Sequence, residues 1–160
     1  MKLGILSDTH DRLPASVLAH FEGVDRILHA GDIGSHHVLA SLEAVAPVTA
    51  VWGNTDGFGL RHLLPEVATI ECDSKRFVIV HGHRHGVPTP ALLREAHPDA
   101  DVVVYGHTHK AAEDWIDGAL LLNPGSAGAP RGGRVATIAI LHVMDVRMTV
   151  RWIEIADEER

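Results

Sequence analysis

Apolar residues along this chain come in short runs, and many of these runs end at a glycine or at a polar residue. Lys2–Ser7 has the continuous apolar character of a strand buried on both faces. Pro14–Phe21 is expected to be a short helix, with proline near its start. Asp25–His29 is a second strand. Ser35–Val45 is a helix: Ser35 can cap it, and Val38, Leu39, Leu42 and Val45 fall at helical spacing. Val48–Trp52 is a third strand. This β-α-β-α-β order predicts parallel strands with right-handed crossovers. Ligands of such sheets collect beyond the carboxyl ends of the strands.

The second half is richer in β pattern. Glu66–Cys72 and Arg76–His81 flank Asp73-Ser74-Lys75, which has the composition of a hairpin turn. Thr89–His97 has helical character and stops before Pro98. Asp101–Tyr105 is a buried strand leading into Gly106. Glu113–Ile116 and Ala119–Asn123 surround Asp117-Gly118, a strong two-residue hairpin signal. Val135–His142 and Val146–Ile155 form a last pair around Met144-Asp145, and Asp157–Arg160 is a polar tail expected to fray. The expected architecture is α/β: two packed mixed sheets with helices on the outer faces, in one domain over residues 1–160.

Composition narrows the functional classes. No apolar stretch approaches the ~18–20 residues of a membrane span, and the apolar start is too brief for a signal peptide. The expectation is a protein with no membrane partner. Cys72 is the only cysteine among 160 residues. It has no internal disulfide partner, which favours a reducing cytosol, and it reads as a small strand residue rather than a nucleophile. The formal net charge of −7 argues against an extended nucleic-acid interface, which shows as a basic face. A small phosphate ester stays compatible, because bound cations reverse a local field.

Thirteen histidines change the picture. His20, His29, His36, His37, His62, His85, His97 and His142 lie outside any cluster and are assigned structural or surface roles, His142 as a satisfied core histidine. The others join five clusters at strand ends. Asp8 and His10 are one residue apart, so in an extended segment both side chains face the same way and can reach one ion. Asp32 follows Gly31 and can bridge two ions or cap the next helix. Asn54 follows Gly53 and offers a neutral oxygen, or forms an Asx-turn. His81 ends a strand before Gly82 and His83. His107 and His109 repeat the one-residue spacing after Gly106. Hard carboxylates with imidazoles suit Mn, Fe, Zn, Ni or Co rather than Ca.

The ordered set Asp-x-His, Gly-Asp, Gly-Asn, His and Gly-His-x-His resembles the calcineurin-like metallophosphoesterases. Within them it resembles the small bacterial and archaeal phosphodiesterase branch related to the retromer subunit Vps29. The match runs from residue 3 to about 126 and includes Asn123-Pro124-Gly125-Ser126. The resemblance implies a four-layer α/β/β/α sandwich and two divalent transition-metal ions, Mn²⁺ foremost, with Fe, Zn, Ni or Co as alternatives. Asp8, His10 and His109 would hold the first ion. Asn54, His81 and His107 would hold the second, and Asp32 would bridge them. A hydroxide between the ions would attack phosphorus in line.

One position departs from the pattern. Many members carry His after the asparagine, thought to protonate the leaving group or bind phosphate; here it is Thr55. A hydroxyl is no general acid near neutral pH, so the change favours diesters over monoesters. His83 is the nearest alternative donor; it can also serve as a phosphate contact or a solvated loop residue. The catalytic set is therefore Asp32, Asn54 and His83, and the expected reaction is hydrolysis of a small phosphate diester by a cytoplasmic enzyme. A phosphomonoesterase, or a Vps29-like interaction scaffold that keeps its metal site, is the alternative. The full ligand set favours the enzyme, and a homo-oligomer is compatible with either.

Overall fold

The computed structural model describes residues 1–156. Among these residues ten strands form two five-stranded sheets. The first has the order β10-β9-β1-β2-β3 and the second β4-β5-β6-β8-β7. The strands are β1 (Lys2–Leu6), β2 (Arg26–His29), β3 (Val48–Ala50), β4 (Val67–Cys72), β5 (Lys75–Val80), β6 (Val102–Val104), β7 (Ala111–Ile116), β8 (Ala119–Pro124), β9 (Ala136–Met144) and β10 (Arg147–Ile155). The helices are α1 (Ala15–His20), α2 (His36–Glu43), α3 (Phe58–Leu63) and α4 (Pro90–Ala96), with a 3₁₀ turn at His83–His85.

The apolar runs are continuous because most central strands bury both faces. Leu3 and Ile5 point into the core between the sheets with Leu28, Phe77, Val102, Val104, Leu120, Leu122 and Leu141. Leu6, on the other face of β1, joins Val17, Phe21, Val38, Leu42 and Leu60 beneath the first three helices. Gly4 shares that face, where a methyl group would press on the Phe21 ring. Leu93 of α4 seals the outer face of the second sheet against Val78, Val103 and Leu121. Helices, sheet, sheet and helix stack as four layers, as expected. Among the described residues no helix is long and apolar enough to cross a membrane.

Strands β1, β2 and β3 are mutually parallel, as are β5, β6 and β8. Their carboxyl ends therefore gather at one end of the sandwich. Asp8, Asp32 and Asn54 leave the first sheet there, and His81 and the Gly106–His109 loop leave the second.

Several local expectations need correction. Helix α3 has no counterpart in the sequence reading. It buries only Leu60, leaves Phe58 and Leu63 exposed and carries Gly59, so no apolar periodicity marks it. Ser35 does precede α2, but its hydroxyl makes no capping bond. The β4–β5 turn is two residues long, because Cys72 pairs with Lys75. Asp73 and Ser74 both have positive φ, the turn geometry that matches strand twist. The last hairpin turns at Asp145-Val146, with Met144 paired to Arg147. His142 is half-buried on β9 rather than in the core. The tail Asp157–Arg160 lies outside the described residues.

Candidate metal centre

The strand-end loops are held in the left-handed backbone region, which L-residues rarely occupy. Asp8, His10, Asp11, Asp32, His107 and His109 all have positive φ. Such strain persists where surrounding bonds over-determine it. Here the loops bind one another through the main chain: Asp8 N donates to Gly31 O, His10 N to Asp32 O and Gly106 N to His81 O. Asp56, buried, accepts from Gly34 N at 2.9 Å and from Gly53 N at 2.8 Å. Its carboxylate thereby joins the Asp32 loop to the Asn54 loop. A side chain at Gly53 would collide with Asp32 Oδ1 and the Asp32 amide.

Three imidazole Nε2 atoms converge on two buried carboxylates. His109 Nε2 lies 3.2 Å from Asp8 Oδ1, His10 Nε2 3.8 Å and His81 Nε2 4.0 Å. Asp32 Oδ2 lies 3.7 Å from His10 Nε2 and 3.3 Å from His81 Nε2. Ligand atoms within 4.8 Å of one another form two triads, Asp8-His10-His109 and Asp8-Asp32-His81. Asn54 Oδ1 adds a neutral oxygen 3.1 Å from His81 Nε2. The first triad brings together Asp8, His10 and His109. The second holds Asp8 in addition to Asp32 and His81. His107 stands at the rim, its ring centroid 5.1 Å from that of His81, outside both triads. Its backbone amide donates to Asp8 Oδ2.

The donor chemistry fits cations. Asp8 Oδ1 is buried and has no hydrogen-bond partner, and a buried unpaired carboxylate oxygen is costly. His81 Nδ1 faces Ala30 O at 2.7 Å and His109 Nδ1 faces Ala129 O at 2.7 Å. Each Nδ1 must donate to its carbonyl, so in the neutral ring the Nε2 on the carboxylate side is the atom with a free lone pair. Outer bonds of this kind fix the tautomer of metal-binding imidazoles. Burial works to raise Asp32, but the His81 hydrogen bond and charge, then the Thr55 amide, hold it well below the usual carboxylate range. Burial works to lower His81, and the Asp32 hydrogen bond and the Asp8 and Asp32 charges outweigh it. His10 and His107 are lowered chiefly by burial.

His83 leaves its strand end beside this group, with its ring 5.5 Å from His81 and 5.2 Å from Trp52. Nε2 lies 3.4 Å from Glu66 Oε1, and Nδ1 is buried without a partner. Burial, then the nearby His81, lowers its pKa. Thr55 serves through its main chain: its amide donates to Asp32 Oδ1 at 2.9 Å.

Further supports carry little or no sequence signal. Ser126 Oγ donates to Asp8 O, and Asn123 Nδ2 donates to Gly106 O and Thr108 Oγ1. The segment Asn123–Ser126 therefore packs beneath the metal loops. The carbonyls of Ala30 and Ala129, being main chain, leave no trace in residue type. His29 is fully buried, bonded to Thr9 Oγ1 and to the Gly31 amide.

Burial pulls the His29 imidazole down to about 3, more than the nearby Asp8 charge pulls it up. The unfolded chain then binds the proton first as pH falls. The contribution of His29 to stability is complete above the ordinary histidine value near 6.5 and is lost on going down toward about 3. Unfolding free energies from urea titrations of chelator-treated protein are expected to fall across that window, by up to about 1.4 kcal/mol per pH unit from this group. His29→Gln is expected to flatten that slope; identical slopes would refute the assignment.

A two-sheet α/β sandwich that presents Asp, Asn and His donors at the shared ends of its parallel strands defines a metal-dependent hydrolase. The chain belongs to the calcineurin-like phosphoesterase superfamily, whose domain model matches residues 1–146. It is 34% identical over 157 residues to the phosphodiesterase MJ0936 of Methanocaldococcus jannaschii, covering 88% of this chain and 92% of that protein. A solved archaeal phosphodiesterase superposes with a TM-score of 0.78 at 32% identity, covering 96% of this chain and all of the other. Vps29 from Entamoeba histolytica, solved with Zn²⁺, shares the fold with a TM-score of 0.87 at 22% identity, over 99% of this chain and 95% of that one.

Proposed function

We propose that this phosphoesterase is a dinuclear-metal phosphodiesterase acting on a small phosphate diester. The observation that carries the reading is the convergence of His10, His81 and His109 on Asp8 and Asp32, with Asp8 Oδ1 buried and unpartnered. Asp8, His10 and His109 would hold one ion and Asn54, His81 and His107 the other. Asp32 would serve both, since its Oδ2 faces His10 on one side and His81 on the other. Bound divalent ions supply a water acidic enough to ionise near neutral pH and positive charge against the phosphoryl oxygens. Mn²⁺ is the proposed native ion.

The chain's own groups do the remainder. The Ala30 and Ala129 carbonyls hold the His81 and His109 rings in their metal-facing tautomer. The Thr55 amide and Asp56 fix the Asp32 and Asn54 loops. His83 is proposed to give the leaving oxygen its proton, a task Thr55 cannot perform. His83→Ala is therefore expected to cost about 10²-fold on a diester with a poor leaving group and little on an activated one. Rates across leaving groups of graded pKa measure this, and an unchanged dependence would remove His83 from the role.

The function is tested by assaying purified protein with Mn²⁺ on bis(p-nitrophenyl) phosphate, p-nitrophenyl phosphate and 2′,3′- and 3′,5′-cyclic nucleotides, alongside metal analysis. The expected result is diester cleavage above monoester cleavage, with two ions per chain. Two bound ions and no turnover would replace the enzyme with an interaction scaffold.

A further inference from the structure

Beside the metal centre, between β3, α3 and the His83 turn, lies a pocket of about 320 Å³ lined by Trp52, Asn54, Arg61, His83 and Arg84. Asn54 and His83 belong to both, so the pocket adjoins the metal-facing donors. It presents two arginines in a chain of formal net charge −7.

The two cations differ in how they are held. Arg84 is neutralised: its Nε and Nη2 both donate to the Glu66 carboxylate. Arg61 is fixed without being neutralised. Its Nε donates to Asp56 O at 2.6 Å and its Nη2 to Asn54 O at 2.6 Å. Its guanidinium carbon lies 4.9 Å from the centroid of the Trp52 ring. Among the described residues no carboxylate comes within ion-pair distance of Arg61. Two carbonyls use two of its five N–H donors and leave three for a ligand. A guanidinium already held in place, and offset only at a distance by Glu66, is suited to a phosphate, because little rotamer freedom is lost on binding.

We propose that this pocket is a subsite for a second phosphate of the substrate, next along the chain from the ester being cleaved, with Arg61 as the specificity-determining residue. The inference rests on the phosphodiesterase reading and deepens it. It selects a short nucleotide chain bearing a neighbouring phosphate over a cyclic mononucleotide or a neutral-ended diester, which carry one phosphate only. Trp52 and His83, their rings tilted by 41°, line the pocket beside that phosphate.

Arg61 also braces the Asn54 loop, so a plain loss of activity on substitution decides nothing. The informative quantity is a ratio between substrates. Mn²⁺-loaded protein is assayed on the dinucleotide ApA and on its 5′-phosphorylated form pApA. Wild type is expected to favour pApA by about tenfold or more in kcat/KM, and Arg61→Gln to remove most of that preference through KM. Equal losses on the two substrates would assign Arg61 to loop bracing alone and overturn the proposal, as would a wild-type enzyme that does not discriminate.

A binding measurement separates this from failure of the enzyme reading. Calorimetry on the Mn²⁺-loaded protein compares thymidine 3′,5′-bisphosphate with thymidine 5′-monophosphate. The bisphosphate is expected to bind about tenfold more tightly to wild type and with no advantage to Arg61→Gln. Binding of that form without cleavage of any diester would overturn the phosphodiesterase and keep the subsite. Equal affinities would overturn the subsite whatever the activity.

Discussion

Asp32→Ala is expected to lower Mn²⁺-dependent diester hydrolysis by at least about 10³-fold, roughly 4 kcal/mol of transition-state stabilisation, while the chain stays folded. The size follows from position. Asp32 Oδ2 faces both His10 and His81, so its removal takes a charged donor from both halves of the centre at once. The fold is expected to tolerate the change because Asp32 lies in a loop beyond β2 and outside the three apolar clusters. The freed Thr55 amide lies in an exposed residue that water can reach. Initial rates on bis(p-nitrophenyl) phosphate, with circular dichroism and thermal melts in parallel, measure both effects. Activity within tenfold of wild type would remove Asp32 from the bridging role.

The second large effect is an inversion of stability at Asp8. Metal-free, this residue buries a carboxylate whose Oδ1 has no hydrogen-bond partner and faces a His109 Nε2 lone pair at 3.2 Å. Asp8→Asn replaces that oxygen with a donor while keeping an acceptor for the His107 amide. In chelator the variant is expected to be more stable than wild type by about 1–2 kcal/mol, the size of a buried hydrogen bond gained and a desolvated charge removed. With Mn²⁺ the order reverses, because an ion at a hundred times its Kd stabilises the wild type by about 2.7 kcal/mol and the variant has lost a charged ligand. Melting temperatures of both proteins in chelator and in Mn²⁺ check this, and the same ranking in both buffers would sink it. Diester hydrolysis is expected to vanish in the variant under either condition.

The sandwich was legible because its strands are unusually plain. Leu120, Leu121 and Leu122, or Val102, Val103 and Val104, bury alternate faces in different cores, and such runs have few other readings. Asp8, Asp32 and Asn54 were legible as one edge because parallel strands leave no other place for residues that follow them. Helix α3 was hidden, since one buried leucine beside a glycine makes no pattern. The grouping of donors was legible only in part. Which carboxylate oxygen faces which imidazole depends on left-handed backbone at Asp8, His10, Asp32 and His109, and residue type does not announce that. The brace formed by Asp56, the Thr55 amide and the Ala30 and Ala129 carbonyls was still less visible, because three of those four parts are main chain. Arg61 is set apart by the Trp52 ring and two main-chain carbonyls, contacts that its place in the sequence does not announce.

The bonds from Ser126 to Asp8 and from Asn123 to the Gly106–Thr108 loop carry a consequence for synthesis. All seven proposed donor residues have been translated by position 109, yet part of what locks their loops, Asn123, Ser126 and the Ala129 carbonyl, comes later. A nascent chain thus carries all seven proposed donors before it carries the last of the braces that hold them in register. Such long-range closures form late in folding. Full register of the donor loops is therefore expected only once the β8–β9 connection has emerged, in a chain whose second sheet is already in place.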